Sequence, residues 1–454
     1  MINEIMNKQR EFFNTNVTKD VKYRIDILKK LQKVIKKEQN TISAALNKDL
    51  SKAPFESYET EIGIVLEEIR YTIKHLPKWA KVKKAKSPLM HFPSKSYKYH
   101  DPYGIVLIMS PWNYPFQLTM VPLIGAIAGG NTCVVKPSQY SEATSKVIEN
   151  IIKQVFEENY VAVVQGGREA NTSLLEQKFD YIFFTGSPNV GHVVMEAASK
   201  NLTPMTLELG GKSPCIVDNT AKIKLAAKRI VWGKYLNGGQ TCVAPDYVLV
   251  QEDVKEELIK YMKYYISKFY TENPLKISYF PKIITERHFE RLVSLIKYEH
   301  NVHGGYCDNK LNKIAPTILD QVTWQSPIMQ EEIFGPIIPV LSFKTYDDII
   351  SILKEKEKPL ALYLFTTNKQ NEKIVLNNIS FGGGCINDTI IHISNSYLQF
   401  GGVGSSGMGQ YHGKASFDTF THTKSIMKKS NLIDINLRYP PFKNKIKLLK
   451  KIMH

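Results

Sequence analysis

Hydrophobic positions in the first eighty residues recur every three or four places. They run Val21, Ile25, Leu28, Leu31 and Ile35, then Phe55, Tyr58, Ile62, Leu66, Ile69 and Ile73, with lysines and glutamates between. This spacing predicts amphipathic helices with these side chains turned to a core. Between Lys81 and His100 the pattern breaks into a basic segment with Pro88 and Pro93. Its end, Ser96-Tyr-Lys-Tyr-His100, alternates as a strand would, in an excursion from the main body.

From Tyr103 the texture changes. Gly104–Met109, Thr132–Lys136, Val161–Val164 and Tyr181–Thr185 are short apolar runs separated by helix-length segments such as Ser141–Glu157. Apolar strands alternating with helices predict a parallel sheet covered on both faces, which binds ligands at the carboxyl ends of its strands. After Leu207 a second series predicts strands at Cys215–Asp218, Tyr247–Val250, Ile337–Phe343 and Leu360–Phe365. The helices predicted with them span Leu225–Leu236, Val254–Phe269 and Arg287–Tyr298. The fold class is therefore α/β, with two α/β units. Near the end, Phe442, Ile446, Leu449 and Met453 lie at helical spacing in a tail from Lys428 to His454 that carries eight Lys/Arg and one Asp.

Length agrees with several units: 454 residues, at roughly 100–200 per domain, allow two to four. A 43% hydrophobic content with 11% aromatics excludes a disordered chain. The longest apolar stretch, Leu118–Ala128, is too short for a membrane span and contains Pro122 and Gly125; the polar N-terminus lacks a signal-type run, so a soluble, unexported chain is expected. Five widely spaced cysteines, Cys133, Cys215, Cys242, Cys307 and Cys385, suit neither a disulfide framework nor zinc, and no metal is expected. A net charge of +17 leaves nucleic acid, anionic surfaces and plain solubility open.

Gly402-Val-Gly404-Ser-Ser-Gly407 matches the dinucleotide pattern GxGxxG, but neither an apolar strand before it nor a helix after it supports that reading. A glycine-rich turn is expected instead. A better phosphate site is Phe183-Phe-Thr-Gly186-Ser187-Pro-Asn-Val-Gly191, where a strand ends in a turn and opens a helix whose free N–H groups favour an anion. Lys136, at the end of another strand, could donate to ribose hydroxyls. For a nucleophile, the glycines of Asn237-Gly-Gly-Gln-Thr-Cys242 place a thiol on a loop, where it needs an activating partner. Glu208, between two leucines, and Asn113, in Pro111-Trp-Asn-Tyr-Pro115, are the candidates; a carboxylate in such a setting is costly to bury without a function or a partner.

Together these motifs resemble the aldehyde dehydrogenase superfamily across nearly the whole chain. The resemblance rests on Pro111–Pro115, Val135-Lys-Pro-Ser138, Phe184-Thr-Gly-Ser187, Leu207-Glu-Leu-Gly-Gly-Lys212, Gly239-Gln-Thr-Cys242 and Glu331-Glu-Ile-Phe-Gly-Pro336. Phe400–Gly413 and Arg438-Tyr-Pro-Pro441 are similar to class 3, the branch containing fatty aldehyde dehydrogenases. The resemblance implies a Rossmann-like cofactor domain (1–80 and 103–207) and a catalytic domain (208–395). It also implies a small oligomerisation β element (81–102 and 396–441), ahead of the basic tail (442–454), and a homodimer.

It further implies NAD(P)-dependent oxidation of an aldehyde through a thiohemiacetal and thioester on Cys242, with Asn113 holding the oxyanion and Glu208 as general base. Lys136, Ser138, Gln139, Gly186, Ser187, Gly191, Glu332 and Phe334 would contact NAD or NADP. Many members carry Glu where this chain has Gln139, and losing that charge should relax discrimination against a 2′-phosphate. Tyr114, Leu118, Trp232, Phe400 and His412 match positions lining an apolar cleft for aromatic or medium-to-long aliphatic aldehydes. Two rivals remain: acyl transfer to coenzyme A, which Glu208 argues against, and a basic RNA- or membrane-binding protein retaining the fold, for which the Cys242, Glu208, Asn113 and Glu332 set has no use. A cytoplasmic enzyme binding no nucleic acid is expected. Its basic tail reads as a solvated or subunit-packing helix, or as a weak peripheral contact to anionic lipid.

Overall fold

The computed structural model describes residues 2–297, 299 and 301–453. Two parallel sheets carry the molecule, as the alternating apolar runs predict. The first has six strands in the spatial order Gly407–Met408, Met205–Glu208, Tyr181–Thr185, Ile105–Met109, Thr132–Lys136 and Val161–Val163. Only Gly407–Met408 runs antiparallel, against the end of Met205–Glu208. Strand order reverses between Ile105–Met109 and Tyr181–Thr185, so a ligand crevice is expected at their carboxyl ends.

The second sheet orders seven strands as Asn301–His303, Thr317–Asp320, Ile337–Phe343, Tyr247–Gln251, Pro214–Val217, Ala361–Phe365 and Gly383–Ile386, antiparallel only at Asn301–His303. The excursion forms a separate antiparallel sheet in which Ser94–Pro102 pairs with Lys83–Ala85 and, over nine residues, with Thr421–Lys429.

The helix Gln117–Gly129 is buried along its whole length and lies at the centre of the largest core, with Leu28, Leu31, Ile35, Ile69 and Ile148 around it. Its apolar sequence thus reflects a core position. No helix among the described residues is long and apolar enough to cross a membrane.

Three expectations need correction. Phe55 and Tyr58 are 77% and 49% exposed, not turned to the core. Phe55 precedes, and Tyr58 opens, a π-helical turn at Tyr58–Ile62 that leads into the helix Gly63–Trp79, and its wider turn shifts the phase of the apolar stripe. Phe442 precedes the tail helix Ile446–Met453, in which Ile446, Leu448, Leu449 and Met453 are exposed. Gly407 is more than part of a turn, since with Met408 it adds a strand to the first sheet. Tyr298, the expected end of the helix observed as Glu286–Lys297, lies outside the described residues, as does His454.

Candidate active site

The strand ends of both sheets meet around one cavity of about 1040 Å³. Asn113 and Leu118, after the strand Ile105–Met109, face it together with Ser138, Gly186, Ser187 and Glu208, which follow or end other strands of the first sheet. The second half of the chain contributes Cys242, Glu332 and Phe334.

Local backbone explains how Cys242 arrives there. Asn237, Gly238 and Gly239 all adopt the left-handed conformation, with φ of 54°, 62° and 74°, so the chain reverses tightly after the helix Ile223–Tyr235. Gly239 is fixed by space as well, because a Cβ there would lie 2.2 Å from the Gly335 carbonyl oxygen. The loop is held from below by buried amides. The Asn113 Nδ2 donates to the Gln240 carbonyl at 3.0 Å, and the Asn237 Nδ2 donates to the same carbonyl and to that of Asn113 at 3.2 and 2.8 Å. Gln240 in turn donates to the Lys282 carbonyl and accepts the Ile284 N–H.

Electrostatics sharpen the picture. Glu208 is buried, neither of its carboxyl oxygens has a hydrogen-bond partner, and burial raises its pKa well above the usual carboxylate range. Burial, helped by Glu332 and Glu208, pushes the Cys242 thiol up to about 12. Glu332 is raised to about 8 by burial and Asp246, against the pull of the Gly211 N–H and Lys212. Its Oε1 accepts that N–H at 3.0 Å, and a Cβ at Gly210 would lie 2.2 Å from its Oε2. A thiol, a carboxyl without partners and a primary amide in one water-accessible cavity can perform addition to a carbonyl followed by hydrolysis.

The pattern of the aldehyde dehydrogenase family matches residues 1–426. The chain belongs to that family. It is 50% identical over 443 residues to the 4,4'-diaponeurosporen-aldehyde dehydrogenase of Staphylococcus aureus, covering 97% of this chain and 96% of that one. To the dimeric NADP-preferring aldehyde dehydrogenase of Rattus norvegicus it is 43% identical over 442 residues, covering 97% and 98%. A solved structure, the substrate-bound state of Staphylococcus aureus AldH, superposes with a TM-score of 0.98 at 48% identity, covering 100% of both chains. The protein is thus an oxidoreductase that oxidises aldehydes with NAD or NADP, and its relatives include class 3 members of the family.

The cavity of this aldehyde dehydrogenase fits a dinucleotide. Ser187 precedes the helix Pro188–Ser199, whose first turn faces the cavity, and beside it the Thr185 hydroxyl is buried without a partner. Trp112, which sequence reasoning passed over, stands edge-on to Phe334 at 5.5 Å and widens the aromatic wall. Lys212, also passed over, donates to Asp246 at 2.7 Å and to the Ile328 and Glu331 carbonyls at 2.8 Å, fastening the segment that carries Glu332.

Other expected residues stand outside the cavity lining. Lys136 is buried and donates to the Pro137 carbonyl, with burial lowering its pKa to about 8. Gln139 is exposed, between Ser138 and Tyr140 on the rim, and its side chain lies against Gly167. Gly191 is covered by Leu209. Tyr114 is pinned by a 2.6 Å hydrogen bond to the Thr241 hydroxyl, and Trp232 is half-buried against the core. Phe400 and His412 pack with Tyr411 in an aromatic cluster at ring separations of 4.4–5.7 Å, and burial lowers the His412 pKa to about 4.

Proposed function

We propose that this enzyme oxidises an apolar aldehyde, aromatic or long-chain aliphatic, to the carboxylic acid, using Cys242 as nucleophile, Asn113 as oxyanion donor and Glu208 as general base. The observation that carries this reading is Glu208, a buried carboxyl with two unpartnered oxygens in the same cavity as the thiol. Such a group is expensive to keep unless it is used.

The chemistry follows from the residues. When bound, NAD or NADP supplies a cationic ring that favours the charged forms of nearby acids and accepts hydride from the thiol adduct. The Cys242 thiolate adds to the carbonyl carbon, and the Asn113 amide, with a second N–H beyond the one given to Gln240, donates to the oxyanion. The acyl thioester left on Cys242 is hydrolysed by a water whose proton Glu208 removes. Cys242 then departs as thiolate, and aldehyde, water and the oxidised dinucleotide have become acid, reduced dinucleotide and a proton.

In this reading Glu332, Phe334, Ser138, Gly186 and Ser187 hold the dinucleotide, with Lys136, Gln139 and Gly191 around them. The neutral Gln139 favours use of both NAD and NADP. Leu118, on the cavity wall, meets the apolar part of the aldehyde in this reading, with Tyr114, Trp232, Phe400 and His412 assigned to the same substrate side although they stand behind the lining. The name of the Staphylococcus aureus relative, which refers to a diaponeurosporen-aldehyde, favours a long apolar substrate. The "dimeric" in the rat relative's name and the exposed Ile426 and Met427 of the strand Thr421–Lys429 favour a homodimer built on the three-stranded sheet, within the domain division set out above. Lys447, Lys450 and Lys451 beside exposed Ile446 and Leu449 suit weak contact of the tail with anionic lipid in the cytoplasm.

The test is formation of NADH and NADPH from octanal, benzaldehyde and a long polyene aldehyde, with and without coenzyme A. Activity on all three with either dinucleotide, independent of coenzyme A, is expected. Silence of the folded protein throughout, or strict need for coenzyme A, would refute the reading.

A further inference from the structure

The segment Lys52–Ile62 precedes both sheets and carries none of the motifs above, yet it sends three charged side chains beneath the reactive loops. Lys52 and Glu61 are wholly buried and paired at 2.5 Å. The Lys52 Nζ also donates to the Asn113 carbonyl at 3.2 Å and lies 4.0 Å over the Tyr114 ring. The second carboxyl oxygen of Glu61 accepts the Phe116 and Gln117 N–H groups at 2.9 and 3.2 Å, where the helix Gln117–Gly129 begins. Glu56 accepts the Asn237 N–H at 2.8 Å, on the loop that leads to Cys242. The π-turn at Tyr58–Ile62 makes this possible. Five residues along an α-helix are set about 140° apart, whereas a wider turn brings Glu56 and Glu61 toward one side.

These bonds close a ring. The Asn113 carbonyl accepts from both Lys52 and Asn237, and the Asn113 and Asn237 amides both donate to Gln240, two residues before the thiol. A buried ion pair is a poor route to stability, since well-packed apolar side chains serve as well or better, but it fixes direction. We infer that Lys52, Glu61 and Glu56 are positioning residues that set the Asn113 amide against Cys242 across the two sheets, an inference that rests on the oxyanion role proposed for Asn113.

The experiment compares wild type with Lys52→Met/Glu61→Gln, Glu61→Asp and Asn113→Ala in rapid mixing, using an aldehyde and its 1-deuterated form. The double variant should keep burst amplitude, aldehyde KM and dinucleotide affinity while its burst rate falls about 10- to 100-fold, as small misplacements do, and shows a larger deuterium effect. Glu61→Asp, which keeps the charge, should fall between it and wild type. Asn113→Ala should slow the burst about 100- to 1000-fold. An unchanged burst rate and isotope effect in the double variant, or in Glu61→Asp should the double variant not fold, with only amplitude or thermal stability reduced, would mean a merely structural pair and overturn the inference. An unaffected burst in Asn113→Ala would instead overturn the oxyanion reading itself.

Discussion

Glu61 and Glu208 are both buried carboxyls close to the Asn113 and Cys242 loops, and the fold treats them in opposite ways. Glu61 is saturated, with one oxygen on Lys52 and the other on two backbone N–H groups. Glu208 has nothing on either oxygen. The first stabilises the loops at the cost of burying a second charge, and the second is left as a reservoir of unmet bonding in a cavity that water and substrate can reach. Saturation marks a scaffold, whereas an orphaned acid marks a group waiting for a partner that comes and goes.

The contrast can be broken most directly through the thiol. Cys242→Ala should abolish reduced-dinucleotide formation altogether; measurable turnover would detach the cavity from the chemistry. Next comes stability. Glu61→Ala leaves Lys52 buried without its paired carboxylate, and should cost about 3–5 kcal/mol in denaturant unfolding. Glu208→Leu removes an unmet polar group, and should gain about 1–3 kcal/mol while activity is lost. Equal effects of the two substitutions on stability would erase the distinction between them.

A smaller effect concerns pH. Glu332 is raised from 4.5 to about 8, so between those values the folded chain retains a proton that the unfolded chain releases. Its contribution to stability is full below about pH 4.5 and lost as pH rises through 8. Glu332→Gln should therefore flatten the decline of Tm over that window, and a slope equal to wild type would show that its carboxyl titrates normally. Smallest is Gln139→Glu on the rim, which should raise the KM for NADP about tenfold by like-charge repulsion and leave that for NAD unchanged.

Much of this was legible in the chain because the relevant signals are local. Apolar runs of strand length, such as Tyr181–Thr185 and Ile337–Phe343, match the observed strands because, Ser342 apart, both faces of these strands are buried. Cys242 stood out by its glycines, and Glu208 by its leucine neighbours. Lys52 was invisible because nothing distinguishes it from the lysines around it until Asn113, 61 residues later, closes over it. Phe55 and Tyr58 misled for a related reason: α-helical periodicity cannot register a π-turn that shifts the phase of a helix. The expected substrate residues that stand outside the cavity lining shared this limit. Tyr114 and His412 lie next to residues of the expected kind, yet the partners that hold them, Thr241 and Ser416, are known only once the chain has folded.

The central claim is that Glu208 is left unsatisfied in order to hydrolyse an acyl group on Cys242. Rapid mixing of Glu208→Gln with aldehyde and NAD, with intact-protein mass measurement of the quenched enzyme, tests it in one experiment. A burst of about one NADH per subunit, followed by turnover slowed at least about 100-fold and an acyl adduct on Cys242, is the predicted result. Steady-state turnover equal to wild type with no adduct would contradict it.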